Sequence, residues 1–279
     1  MNILDNEVDK IYNVFNSIYL SSSIFKSNES YLHHNRFALE PFIFDSLKLL
    51  YSSKLKEHWD NVEIPYNSDK AIIIVERRCH QNLEFVLHNV SYFAPGYTIH
   101  IFCSIANLSF IRGICKSQKK NIHIHPIFEN IGTPEEGRIE YNKLLKTKTF
   151  WDSLNEEHLL LIETDSYLLK HLPDSIYEYD YVACKWSWIP SEPGGGGLSY
   201  RKRSTIMKIF ELDDTSLNNS TMQDCFLSIG VKLLGGKYSH NFFTESTLLT
   251  DTYGTHQWWT FYNIDTSKDV IKNYLTLKL

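Results

Sequence analysis

Two carboxylates separated by one residue follow a dense apolar run in this chain of 279 residues. Glu163 and Asp165 come directly after residues 158–162 (HLLLI), which have the composition of a strand buried on both faces. On an extended chain, side chains two residues apart point to the same side. Carboxylate oxygens are the ligands that a hard divalent cation prefers. The spacing therefore predicts a cation site, and the competing interpretation is a strand that simply ends in a polar turn.

A second charged cluster, Glu76, Arg77 and Arg78, follows the apolar run at residues 71–75 (AIIIV). Open α/β sheets bind their ligands at the carboxyl ends of the strands. We therefore expect both charged clusters to belong to a ligand-binding edge.

Four consecutive glycines occupy residues 194–197. Glycine lets the backbone approach a ligand closely or adopt a positive φ, but a run of glycines also suits a plain flexible loop. The sequence contains neither GxxxxGK[ST] nor GxGxxG, so the phosphate loop of NTPases and the dinucleotide fingerprint are not indicated.

Asp224 and His256 are two further residues that could carry chemistry. Asp224 opens a helical stretch, where it could cap the helix or, in a cleft, take a proton from a hydroxyl group. His256 lies between Gly254 and the pair Trp258 and Trp259. A lone histidine is ordinarily a hydrogen-bonded polar residue, but beside an acidic metal site its imidazole becomes a candidate ligand.

Short apolar runs alternate with helical stretches from residue 70 onward, which predicts an open α/β sheet. The tail from residue 231 is predicted as short strands or loops. Residues 1–69 place apolar side chains at helical spacing and predict a helical extension before a domain at 70–279. The predicted strands are 71–75, 98–103, 122–127, 158–162 and 181–183, and the predicted helices are 83–90, 110–116, 135–145, 149–154, 204–210 and 224–229.

Composition excludes several classes of protein. A net charge of −5 argues against a protein that mainly grips nucleic acid. The five cysteines are scattered without a CxxC pair, so neither a zinc cage nor a disulfide framework is indicated, and a reducing compartment fits best. The first residues lack the pattern of a secretory signal, and no apolar stretch is long enough to span a membrane. These features predict a cytoplasmic protein.

Taken together, the segments resemble the DUF5672 family of GT-A-like glycosyltransferases, which has bacterial and large-DNA-virus members. The resemblance spans about residues 70–262. It rests on an ordered series of pieces: AIIIVERR at 71–78, LEFVLHN at 83–89, EYNKLL at 140–145, FWDSL at 150–154, LLLIETDSYLL at 159–169, YDYVACKW at 179–186, GGGGLSYRKRS at 194–204, MQDCFLS at 222–228 and GTHQWW at 254–259.

The resemblance implies a GT-A-like, Rossmann-related fold, in which an open, mixed, mostly parallel sheet is flanked by helices behind the N-terminal helical extension. It implies that Asp165 is the main acid of a DxD-type metal motif, where Glu163 replaces an expected glutamine. His256 would be a further contact to the metal or diphosphate, and Asp224 would be the general base. The metal would be Mn²⁺ or Mg²⁺.

The resemblance also assigns residues to the nucleotide-sugar donor. Those that would line the donor site are Glu76, Arg77, Tyr141, Asn142, Thr164, Gly196 and Gly197. Four tryptophans would shape the sugar and acceptor pockets, with core packing as the alternative for each of them: Trp186, Trp188, Trp258 and Trp259.

The implied activity is transfer of a sugar from a nucleotide donor, with a UDP-sugar as the first choice, to a hydroxyl group of a glycan, protein or small-molecule acceptor, with inversion. Two other functions stay open. One is a scaffold that binds a nucleotide or glycan without turnover. The other is a sugar-phosphate nucleotidyltransferase, although ERRCHQN at residues 76–82 lacks the glycine-rich loop expected there.

Overall fold

The computed structural model describes residues 2–21, 28–116, 121–187, 192–261 and 266–279. Its helices are α1 (Ile3–Ser21), α2 (Asn28–Asn61), α3 (Leu83–Phe93), α4 (Leu108–Ile114), α5 (Pro134–Leu145), α6 (Lys148–Asp152), α7 (Arg203–Ile209), α8 (Thr215–Asn219), α9 (Gln223–Leu233) and α10 (Lys268–Leu275). Its strands are β1 (Lys70–Glu76), β2 (Thr98–Ser104), β3 (Ile122–Phe128), β4 (His158–Ile162), β5 (Ser166–Leu168), β6 (Tyr181–Cys184), β7 (Gly195–Lys202), β8 (Tyr238–Ser239), β9 (Phe243–Thr244) and β10 (Gly254–His256).

The main sheet has the strand order β3-β2-β1-β4-β7-β6-β8 in the described part of the chain. Strands β3, β2, β1 and β4 run parallel, and β7 is antiparallel to both β4 and β6. The predicted fold class, an open, mixed, mostly parallel sheet flanked by helices behind an N-terminal helical extension, is confirmed.

Both faces of this sheet are covered, as the continuous apolar runs require. On β1, Ile72 and Ile74 join one buried cluster, which includes side chains of α1, α2, α3 and α10. The alternate residues Ala71 and Ile73 join a second cluster, with side chains of α6, α7 and α9. The alternation follows from the two-residue repeat of a strand, and it produces three layers.

The N-terminal helices share the core of the sheet. Phe44, Leu47 and Trp59 of α2 are at most 1% exposed and lie in the same cluster as Ile72. The ring of Phe44 also contacts Trp259 edge to face, with 5.9 Å between the ring centroids. Helix α2 therefore packs beneath the segment that follows His256.

The second half of the chain departs from the sequence-based expectation at the glycine run and at the end of the tail. Residues 195–197 are part of β7 rather than a loop, because pairing with β6 and β4 fixes a backbone that glycine alone would leave free. The tail contains α10, which Ser267 caps by accepting a hydrogen bond from the backbone N–H of Val270, and which buries Ile271 and Tyr274. The short strands predicted for the tail are present. Strands β9 and β10 lie there, and with β5 from earlier in the chain they form a second sheet of order β5-β10-β9.

Candidate active site

Three of the predicted site residues meet at the carboxyl end of β4. Glu163 and Asp165 follow this strand, and β10 brings His256 beside them because His256 pairs with Ser166 of β5 in antiparallel register. One ligand atom from each of the three side chains lies within 4.8 Å of the others. The imidazole Nε2 lies 3.5 Å from Oδ1 of Asp165 and 3.8 Å from Oε2 of Glu163.

Glu245 is a fourth member of this site, which sequence analysis missed. Its Oε1 lies 2.8 Å from Nδ1 of His256, and its Oε2 is buried without a hydrogen-bond partner among the described residues. A buried carboxylate oxygen without a partner is costly, which is a reason to expect a cation or a donor there. Glu245 comes directly after β9, and only the pairing of β9 with β10 brings it to His256. We call Glu163, Asp165, Glu245 and His256 the acidic cluster.

The neighbouring carboxylates change the pKa of His256. Burial by itself lowers its pKa, but the carboxylates of Asp165 and Glu245 outweigh burial and raise the pKa well above its ordinary value. The backbone N–H of Gly197 also approaches Nδ1, at 3.3 Å. The shorter contact with Glu245 favours a proton on Nδ1, which leaves Nε2 facing Glu163 and Asp165. A carboxylate on one imidazole nitrogen commonly orients a metal-binding histidine in this way.

Gln257 connects His256 to Asp165. Its side-chain Nε2 donates to Oδ2 of Asp165 at 2.7 Å and lies 2.6 Å from Nε2 of His256. Its φ of 47° is a left-handed conformation, and no other non-glycine residue of the described chain has a positive φ. Such strained backbone is found preferentially at functional sites, where the surrounding structure holds it.

The glycines of β7 leave the space that the acidic cluster occupies. A Cβ on Gly197 would lie 2.6 Å from Cδ of Glu163 and 2.8 Å from Nε2 of His256, closer than real Cβ atoms approach. Gly196 has a φ of 105°, and its Cβ would lie 3.0 Å from Nδ1 of His256. The space that the glycines of β7 leave clear fits a divalent cation held by Glu163, Asp165 and His256.

Asp224 lies against the same strand. A Cβ on Gly195 would lie 2.7 Å from Oδ2 of Asp224. Asp224 is in the first turn of α9, and its Oδ1 accepts a hydrogen bond from the backbone N–H of Cys225 at 2.9 Å. It is not the capping residue of that helix, which is Met222. The glycines of β7, which we call the glycine strand, thus lie next to Asp224 at Gly195 and next to Glu163 at Gly197.

Tyr141 of α5 lies near these two carboxylates, with its hydroxyl group buried. Burial raises its pKa well above the ordinary value, the charge of Glu163 raises it further, and Arg201 opposes the shift. Arg201 itself is fully buried, and its Nη2 donates to Oε1 of Gln223 at 2.8 Å. The structure therefore places Tyr141 within the site, where its phenol stays protonated.

Asn142 faces away from the acidic cluster. Its Oδ1 accepts a hydrogen bond from the backbone N–H of Gln223 at 2.7 Å, and its Nδ2 donates to the carbonyl of Arg138 at 2.9 Å. These bonds tie α5 to the first turn of α9. The structure thus gives Asn142 a role in orienting the helix that carries Asp224.

Glu76 and Thr164 connect the ends of β1 and β4. The hydroxyl group of Thr164 donates to Oε2 of Glu76 at 3.1 Å, which joins the two charged clusters as predicted for one sheet edge. Arg77 turns away from that edge. Its Nη1 pairs with Glu140 at 2.5 Å, and its Nε and Nη2 donate to the carbonyl of Asn130.

The tryptophans divide between core and site. Trp258 and Trp259 are fully buried, and Nε1 of Trp258 donates to the hydroxyl group of Tyr167 at 2.8 Å, so both are core residues. Trp186 lies beside Gly195 near Asp224. Trp188 lies outside the described residues.

No helix in the described part of the chain is both long and apolar enough to cross a membrane.

Comparison with known proteins supports the family resemblance in part. No curated protein sequence matches the chain. Among solved structures, it is similar to the mannosyltransferase PcManGT from Pyrobaculum calidifontis in complex with GDP-Man and Mn²⁺, at 12% identity and a TM-score of 0.43. That similarity covers 74% of this chain and 65% of the mannosyltransferase chain. A family model described as "Protein of unknown function (DUF5672)" matches residues 129–247, so the predicted resemblance to DUF5672 is confirmed over that segment, which includes Glu163, Asp165, Asp224 and Glu245.

Proposed function

We propose that this chain is a metal-dependent glycosyltransferase, which transfers a sugar with inversion from a nucleotide-sugar donor, a UDP-sugar in the first instance, to a hydroxyl group of an acceptor. One observation carries the proposal. Glu163, Asp165 and His256 come within 4.8 Å of one another at a strand of glycines that also borders Asp224. A site for a cation and a separate carboxylate are the two elements that this reaction needs.

Asp165, Glu163 and His256 would hold Mn²⁺ or Mg²⁺, with Glu245 orienting the imidazole through Nδ1. A bound divalent cation neutralises the charge that develops on the departing diphosphate. The glycines of β7 keep side chains away from the space next to these ligands, so the diphosphate and donor sugar have access to them.

Asp224 performs the proton transfer. Its carboxylate takes the proton of the acceptor hydroxyl group as that oxygen forms a bond to the anomeric carbon. The bond between the anomeric carbon and the diphosphate oxygen breaks with its electron pair on the diphosphate. Tyr141, whose buried phenol stays protonated, is close enough to Glu163 and Asp224 to be influenced by both charges.

Nucleotide binding provides the first test. UDP, GDP, CDP and dTDP are titrated into the protein with and without Mn²⁺, and the melting temperature is followed. A ligand at a hundredfold excess over Kd stabilises the native state by about 2.7 kcal/mol. We expect one nucleotide to stabilise the protein only with Mn²⁺, and Asp165→Ala to abolish the effect. Asp174→Ala, which removes an exposed carboxylate elsewhere, serves as the matched control.

Turnover of the matching sugar donor separates the remaining functions. We expect release of nucleoside diphosphate, which Asp224→Asn slows by roughly 10²- to 10⁴-fold without weakening nucleotide binding. Release of pyrophosphate from a nucleoside triphosphate would instead identify a nucleotidyltransferase. Binding without turnover would identify a scaffold, and absence of any nucleotide binding would refute the proposal.

A further inference from the structure

The net charge of the acidic cluster indicates that the proposed donor site contains a positively charged side chain in addition to the metal ion. Glu163, Asp165 and Glu245 supply three carboxylates within contact distance of one imidazole. With a divalent cation bound at Nε2 the imidazole is neutral, so the cation offsets two of these charges, and the diphosphate of a donor then adds at least two more. Uncompensated charge at a partly buried site is costly. A further positive group facing the diphosphate would offset this charge.

The arginine predicted for the donor site does not provide that charge. Arg77 is 8% exposed, and its guanidinium is occupied by Glu140, by the carbonyl of Asn130 and by stacking over Phe128. Arg201 belongs to β7 and is fully buried, with hydrogen bonds to Ser199 and Gln223. Both guanidinium groups are thus buried and bonded to other residues of the chain.

Arg78 is placed differently from both. Its side chain remains 58% exposed although its guanidinium is fixed. Its Nε and Nη2 donate to the two oxygens of Glu76 at 2.9 and 2.8 Å, and its backbone N–H donates to Oε1 of Glu76 at 2.8 Å. Since Glu76 also accepts from Thr164, which lies between Glu163 and Asp165, this arginine is anchored next to the acidic cluster.

The electrostatics agree with this position. The hydrogen bonds to Glu76 raise the pKa of Arg78, and the charge of Asp165 raises it further. The guanidinium is therefore close enough to Asp165 to feel its charge. A planar guanidinium with one edge bound to a carboxylate still offers its remaining N–H groups to phosphate oxygens.

Helix α2 holds the loop that carries Arg78. Asn82 ends this loop and is fully buried. Its Nδ2 donates to Oε1 of Glu40 at 2.8 Å, and its Oδ1 accepts from Nζ of Lys48 at 2.9 Å. Both partners lie on α2, outside the segment that the family model matches. Helix α2 thus holds the end of the loop at Asn82, four residues after Arg78.

We propose that Arg78 binds the diphosphate of the nucleotide donor, and that Glu40 and Lys48 of α2 are positioning residues that hold its loop against the site. This inference rests on the proposed function, since it assigns the anionic part of the same donor. It also gives residues before the family match a part in ligand binding.

Comparison of UDP with uridine tests the contact with Arg78. Both are titrated calorimetrically into the wild-type protein and Arg78→Gln in the presence of Mn²⁺, or the matching pair if another base proves to be the ligand. A hydrogen bond to a charged group implies a loss of about 10- to 100-fold in affinity for the diphosphate. We expect that loss for UDP and less than about a twofold change for uridine, which has no phosphate.

Arg138→Gln is the matched control, because Arg138 is 55% exposed and paired with a carboxylate, Glu135, on α5. Arg138→Gln should bind UDP as the wild type does. If Arg78→Gln keeps wild-type affinity for UDP, or loses UDP and uridine equally, the contact with the diphosphate is wrong while the proposed function stands. If the wild-type protein binds no nucleotide, the proposed function fails and this inference fails with it.

The positioning residues are tested through Glu40. Glu40→Ala removes the acceptor for Asn82, whereas Glu40→Gln keeps an oxygen in its place. Loss of one hydrogen bond predicts a decrease of about 2- to 10-fold in UDP affinity for Glu40→Ala, with recovery in Glu40→Gln and unchanged uridine binding. Equal affinities of both variants for UDP, at the wild-type level, would overturn the role of α2.

Discussion

Two of the regions in which histidines contact carboxylates differ in which side-chain atoms have hydrogen-bond partners. The first is the acidic cluster at the ends of β4 and β10. The second, which we call the histidine stack, lies on β2 and β3 with one acid from the loop before β4. Its members are His100, His123, His125 and Glu156.

In the histidine stack both ring nitrogens of His100 and both carboxylate oxygens of Glu156 have partners. Nδ1 of His100 lies 3.1 Å from Nε2 of His125, and its Nε2 lies 3.0 Å from Oε1 of Glu156. Glu156 also accepts from Thr98 and from the backbone N–H of Asn155. The rings lie nearly parallel, with 5.3 Å between the centroids of His100 and His125.

In the acidic cluster, by contrast, one buried carboxylate oxygen of Glu245 has no hydrogen-bond partner among the described residues, and three side chains converge on a space kept clear by glycines. The two regions have the same types of side chain. The comparison teaches that the atoms left without partners, more than the residue types, distinguish a candidate cation site from a structural network.

Gly197→Ala should produce the largest difference between the two regions. The added Cβ overlaps Glu163 and His256, so we expect Mn²⁺ affinity to fall toward the upper end of roughly 10- to 100-fold, and stability to fall by about 1–3 kcal/mol. Calorimetric Mn²⁺ titration and urea unfolding measure the two effects. Gly137→Ala, on α5 with no heavy atom within 4 Å of its added Cβ, should leave Mn²⁺ affinity unchanged. Equal Mn²⁺ affinity of the two variants would contradict the cation site.

Glu245→Gln and Glu156→Gln form a matched pair that sharpens the comparison. Glu245→Gln removes the charge that faces Nδ1 of His256, so Mn²⁺ affinity should fall about 10-fold. Glu156→Gln alters the histidine stack and should leave Mn²⁺ affinity within the error of the titration. A similar loss in both variants would show that the two regions do not differ in metal binding.

The smallest expected effect is a decrease in folding stability at acid pH, caused by His125 of the histidine stack. Burial, with help from His100 and His123, lowers the pKa of His125 to about 4. Because the unfolded chain then takes up a proton that the folded chain does not, stability should fall as the pH drops from about 6.5 to about 4. His125→Asn should flatten this part of the profile of urea midpoint against pH. His88, whose burial lowers its pKa to about 4, contributes the same trend in both proteins. An unchanged slope in His125→Asn would show that His125 does not contribute.

Much of the main sheet could be predicted from the sequence, because its strands are continuous apolar runs. Residues 71–75 and 158–162 became β1 and β4, and Ile73 pairs with Leu161 between them. The glycine strand could not be predicted, since glycine disfavours strands and only pairing with β4 and β6 holds it. The strands of the second sheet are two or three residues long, too short for any repeat to indicate them.

The same limits apply to the candidate site. Glu163 and Asp165 could be identified because their spacing follows a predicted strand, and their role as metal ligands stays a prediction. Glu245 has no such signal, because it lies in a polar run whose position depends on the pairing of β9 with β10. Whether Arg77 or Arg78 faces the proposed donor depends on their side-chain contacts with Asn130 and Glu76. A local sequence pattern does not predict such contacts.

The pairing of β5 with β10 has a consequence for how the protein is made. His256 and its partner Ser166 are about 90 residues apart in the chain. While a ribosome is still synthesising the segment between them, the nascent chain contains Glu163 and Asp165 but not the imidazole that completes the site. Trp259 must then dock on Phe44 of the earlier α2. The candidate site thus assembles late in synthesis, so a polypeptide released before β10 lacks one of the three side chains proposed to hold the cation.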